Sequence, residues 1–77
     1  FNPADSFKYA QAVNTLYQSN LNELAYKYAL IAVEFNPNYF DAWKLLYLMP
    51  PSTEEDKALA LENMKRLDPK NTNVIGN

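Results

Sequence analysis

Apolar side chains recur along this chain at helical spacing in four stretches. In the first, residues 5–19, Tyr9, Ala12, Val13, Leu16 and Tyr17 fall at i, i+3, i+4, i+7 and i+8, which is one continuous helix face. The second runs from a short polar turn at 19–22 to about Phe35 and is apolar almost all round from Tyr28 to Val33. Within it Ala25, Ala29 and Ala32 form a stripe of small residues that lets a neighbouring helix approach closely, flanked by Leu24, Tyr28 and Ile31. The third, residues 39–49, places Phe40, Trp43 and Tyr47 on one face with Leu46 beside them. The fourth follows Pro50-Pro51; it turns Ala60, Leu61, Met64 and Leu67 to one side and Glu62, Asn63, Lys65 and Arg66 to the other. A helix that is apolar on all sides needs neighbours on both faces, so the second stretch is the expected centre of the molecule.

The punctuation between these stretches repeats. Phe1-Asn2-Pro3 returns as Phe35-Asn36-Pro37 after 34 residues, and Leu67-Asp68-Pro69 follows after 32 more. A helix ending in a turn at such an interval is the mark of a helical repeat array. On this reading Phe1-Asn2-Pro3 is the end of a preceding helix and its breaker, since proline cannot continue a helix. Asn20 with Glu23 and Ser52 with Glu55 have capping-box spacing, and Asn38 stands where it can cap the third helix. Glu54, Glu55 and Asp56 begin the fourth helix and Lys65 and Arg66 end it, an arrangement that suits the helix dipole at both ends. The tail from Lys70 to Asn77 is expected to fray.

Composition narrows the function. The 77 residues contain no Cys and no His, which removes thiol nucleophiles, imidazole bases and the usual zinc ligands. Net charge is −2 and the basic residues are scattered, against the concentrated Lys/Arg stripe of a nucleic-acid surface or a polybasic membrane patch. No apolar run approaches the ~20 residues of a membrane span. One Gly and no hairpin dipeptide such as Asn-Gly exclude a strand-and-turn protein. The expected class is all-α, with two antiparallel helix pairs.

Two pairs at a period of 34 resemble tetratricopeptide (TPR) repeats. On that pattern the first repeat is about 6–39, the second about 40–71, and 72–77 a tail. Tyr9 falls at the family's Trp position, Ala12-Val13 at its Leu-Gly, Ala25 and Ala32 at its two Ala positions and Pro37 at its closing Pro. Trp43 and Leu46 fall on the Trp and Leu of the second repeat, and Asp68-Pro69 on its close. Val13 and Tyr47 replace the Gly where paired helices touch, Met64 replaces an Ala, and Pro50-Pro51 shortens the second repeat. The resemblance implies a short right-handed α-solenoid, either a single domain of residues 1–77 or the C-terminal end of a longer array. The stretch 40–71 is also similar to the C-terminal tails of bacterial O-antigen ligase/polymerase-like membrane proteins. That similarity implies an accessory domain beside a membrane glycan-transfer enzyme.

Glu54-Glu55-Asp56 is the one carboxylate cluster, and its place at a helix start explains it; no catalytic, cofactor or metal site is expected. Most aromatics, Tyr9, Tyr28, Phe35, Trp43 and Tyr47, lie at core positions of the repeat. The family resemblance implies a non-enzymatic interaction module that holds a protein or peptide on the concave face of each repeat's first helix. Mapped here, that face is Phe7, Ala10, Gln11, Asn14, Tyr17 and Gln18 with Asp41, Lys44, Leu45 and Leu48. Phe7, Gln11, Asn14, Tyr17, Asp41, Lys44 and Leu48 are the candidate binding residues. The carboxylate clamp of chaperone-binding members is incomplete, because Asn14 matches one Asn while Ala10 and Leu45 stand at its Lys and second Asn. The mixed apolar and amide surface suits an amphipathic helix or an extended peptide. No direct membrane insertion is expected. The uncovered side of the first helix is expected to leave the isolated chain marginally stable or self-associating.

Overall fold

The computed structural model describes residues 3–70, and the regular structure among them is entirely helical. The elements are α1 (Pro3–Gln18), α2 (Asn22–Phe35), α3 (Phe40–Leu48) and α4 (Glu54–Leu67). The protein is all-α. α1 begins at Pro3, two residues ahead of the expected start at Asp5; the first helical position needs no backbone N–H, so proline is at home there. Phe1, Asn2 and the tail 71–77 lie outside the described residues.

The first reversal rests on Asn20. Its φ of 63° is left-handed, its N–H donates to Tyr17 O at 3.0 Å, and the N–H of Leu21 donates to Leu16 O at 2.9 Å. These two bonds form a Schellman motif, in which a left-handed residue closes the orphan carbonyls of a helix end. Asn20 therefore ends α1 and does not cap α2. The N-cap of α2 is Leu21, which offers no side-chain bond, so the expected Asn20–Glu23 capping box does not form.

The tight turn lays α2 antiparallel to α1, as the contacts across the pair record. Ser6, near the start of α1, donates its hydroxyl to Ala32 O near the end of α2 at 2.8 Å. The Tyr9 ring meets Tyr28 edge-on at 5.4 Å and Phe35 at 5.3 Å. Ser6 and Val13 are both fully buried between the helices.

The second pair is set on α2 through small residues. Ala25, Ala29 and Ala32 are fully buried, and Ala42, Trp43 and Leu46 of α3 are buried in the same core. Trp43 is 5% exposed and donates its indole N–H to Pro37 O at 2.8 Å, satisfying the one polar atom of a large buried ring. Pro50 and Pro51 follow α3 and confine it to 9 residues against 16 in α1.

Two sequence-level caps move by one position each. Tyr39 and not Asn38 is the N-cap of α3, without a side-chain bond. Asn38 instead donates its N–H to Asn36 Oδ1 at 3.1 Å within the turn. The capping box of α4 is Thr53 with Asp56: Asp56 N–H donates to Thr53 Oγ1 at 3.0 Å and Thr53 N–H to Asp56 Oδ2 at 3.1 Å. Ser52 is diverted, because its buried hydroxyl donates to Leu46 O and satisfies the end of α3.

Candidate functional site: a groove across α1 and α3

Residues 7, 10, 11 and 14 of α1 lie at i, i+3, i+4 and i+7, so they form one stripe on the helix surface. Residues 41, 44, 45 and 48 of α3 have the same spacing, each 34 positions later. Because α1 and α3 are neighbours in the fold, the two stripes face one space. They line a cavity of about 430 Å³ bounded by Phe7, Ala10, Gln11, Asn14, Asp41, Lys44, Leu45 and Leu48, with Tyr39 at its edge.

Its chemistry is mixed. Phe7 is 52% exposed and Leu48 48%, and Ala10 is buried in the floor. The amides of Gln11 and Asn14 offer both donors and acceptors, and Asp41 and Lys44 add one charge of each sign. The Phe7 and Tyr39 rings are tilted at 42° with centroids 6.4 Å apart. Burial raises the Tyr39 phenol above its usual 10.0, with Asp41 adding to the rise, so the hydroxyl stays neutral at physiological pH.

Of the candidate binding residues, Phe7, Gln11, Asn14, Asp41, Lys44 and Leu48 come together here. Tyr17 does not line the cavity and is 46% exposed. Gln18 is likewise outside it and exposed. α3 stops at Leu48, so the residue 34 positions after Tyr17 is Pro51, beyond the end of that helix. Tyr39 was absent from the sequence-derived face. It sits in the turn before α3, where helical spacing gives no direction for a side chain.

The remaining polar clusters have structural explanations. Asp56 of the carboxylate run holds the capping box and also accepts from the Tyr26 hydroxyl at 2.6 Å, which ties α4 to α2. This hydrogen bond, with those of Thr53, keeps the Asp56 carboxyl below its usual 3.8. It raises the Tyr26 phenol, aided by burial and the nearby charges of Asp56 and Glu23. Arg66 is not merely part of a solvated outer face. It donates to Pro37 O at 2.8 Å and to Asn38 Oδ1 at 3.0 Å, clasping the turn between the pairs. Among the described residues no group of three or more Asp and Glu could hold a metal ion, and no helix is long and apolar enough to cross a membrane. No protein-family model, curated protein or solved structure matches the chain.

Proposed function

We propose that this chain is a non-enzymatic interaction module of the tetratricopeptide-like kind. In this reading the two helix pairs form a short right-handed stack, and the α1–α3 groove holds an extended peptide or an amphipathic helix of a protein partner. The observation that carries it is the pair of matching stripes, 7/10/11/14 and 41/44/45/48, around one cavity. Two large apolar side chains, Phe7 and Leu48, are half-exposed there and offer apolar surface to a partner. Amide side chains between them match the alternating donors and acceptors of a peptide backbone.

A displayed peptide library selected on the chain provides the test, followed by titration of the selected peptide. Phe7→Ser with Leu48→Ser is expected to weaken binding about tenfold or more, or roughly 1.4 kcal/mol. Both side chains are half-exposed, so the melting temperature is expected to move little. Undiminished binding by the double variant would place the site elsewhere.

A further inference from the structure

The groove is not chemically uniform along its length. Where α3 begins, Phe7 and Tyr39 come together with Asp41; further along α3 stand Lys44 and Leu48. The two rings have centroids 6.4 Å apart and are tilted at 42°, so neither lies flat on the other. Phe7 is half-exposed beside the cavity and Asp41 is exposed at its rim. The charge of Asp41 acts on the Tyr39 phenol, which puts the carboxylate near that ring. Because the phenol stays neutral, the only negative charge in this corner is that of Asp41.

Among the described residues neither Asp41 nor Lys44 has an ion-pair partner, and no Lys or Arg lies over either ring. Taken alone, Asp41 is explained by its place in the first turn of α3, where a carboxylate suits the helix dipole. The dipole does not explain the rings. Phe7 comes from α1 and Tyr39 from the turn before α3, so they meet only when the two pairs are assembled. Open aromatic faces attract a positive charge through their quadrupoles, and a carboxylate beside them neutralises it. This corner has the chemistry of a cation subsite.

The geometry also selects among cations. An ammonium is a compact and strongly hydrated charge, whereas a guanidinium is planar and weakly hydrated. A guanidinium can stack on a ring while its edge donates to a carboxylate. Lys44, one turn on from Asp41, sets a limit on the rest of the ligand. It repels a second basic residue and favours an acidic one.

We propose that the end of the groove formed by Phe7, Tyr39 and Asp41 is an arginine subsite. Its occupant is an extended peptide that carries one arginine there and an acidic residue towards Lys44. The proposal rests on the groove being the binding site and names the chemistry of what it binds.

The probe is a displayed library of random peptides selected on the 77-residue chain, with the binders then synthesised and titrated. Enrichment of arginine over lysine at one position, with an acidic residue nearby, is expected. Replacing that arginine by alanine should weaken binding about tenfold. Asp41→Asn, at an exposed position, should weaken it several-fold. Phe7→Leu keeps an apolar side chain without the ring and should reduce the preference for arginine over lysine. Asp41→Lys should reverse the choice, binding the arginine-to-glutamate peptide better than the original. Binders that need Phe7 and Leu48 but carry no arginine would overturn the subsite and leave the groove reading standing. Indifference to both Asp41→Asn and Phe7→Leu would do the same, and equal selection of lysine would overturn the guanidinium as the recognised group. Absence of any binder, or binders unaffected by Phe7→Ser with Leu48→Ser, would overturn the groove reading and the subsite with it.

Discussion

Asp56 shows how much one side chain can join. A single carboxylate accepts from the backbone of Thr53 and from the phenol of Tyr26, so the start of α4 and the body of α2 share an acceptor. Its lowered pKa means the folded state favours the charged form, so this contribution is complete above the usual value of 3.8 and lost as pH falls through the lower folded value. The raised Tyr26 phenol works in the other direction. Its contribution is complete below the usual 10.0 and lost as pH rises through the raised value. Melting temperature measured against pH should therefore fall in strong acid, and Tyr26→Phe should flatten that fall. An unchanged acid limb would show that the bond contributes nothing in solution. Trp43 makes a plainer case. Removing a 5%-exposed ring with a satisfied indole, as in Trp43→Ala, is expected to cost about 3–5 kcal/mol in denaturant unfolding.

At the scale of elements, periodicity located all four helices to within one or two residues, because the apolar stripes that drive burial are written in the sequence. The caps were less legible. Ser52 with Glu55 and Thr53 with Asp56 have the same spacing, and only the position of Leu46 O in three dimensions decides that Ser52 turns away and Thr53 caps. Asn20 could equally be a cap or a left-handed terminator, and the Schellman bonds of α1 select the second. Asn20→Val should then cost about 1–2 kcal/mol, the penalty of left-handed backbone for a residue with a branched Cβ. A loss of a few tenths in chemical denaturation would mean that the turn can relax. The stripes of the groove were readable because they obey helix spacing. Tyr39 and Ser6 were not: one lies in a turn, and the other bonds to a carbonyl 26 residues away.

Across the whole molecule, the two pairs meet through few but specific features. The alanine stripe of α2 permits close approach, Trp43 fills the junction, and Tyr26 with Asp56 bridges α2 to α4. The clasp by Arg66 was hidden in the sequence, since a cation in the last turn of a helix is sufficiently explained by the helix dipole.

The carbonyl of Pro37 receives two donors, the Trp43 indole from α3 and the Arg66 guanidinium from α4. Both lone pairs of one oxygen in the connecting turn are thus engaged by the pair that follows it. The stability of two packed helix pairs can be treated as a sum of one intrinsic term for each pair and an interface term between them. Here one atom belongs to both kinds of term. Melting the last turn of α4 releases a bond on the junction, and distorting the junction releases a bond that anchors α4. Part of the free energy that holds the second pair together is therefore shared with its attachment to the first.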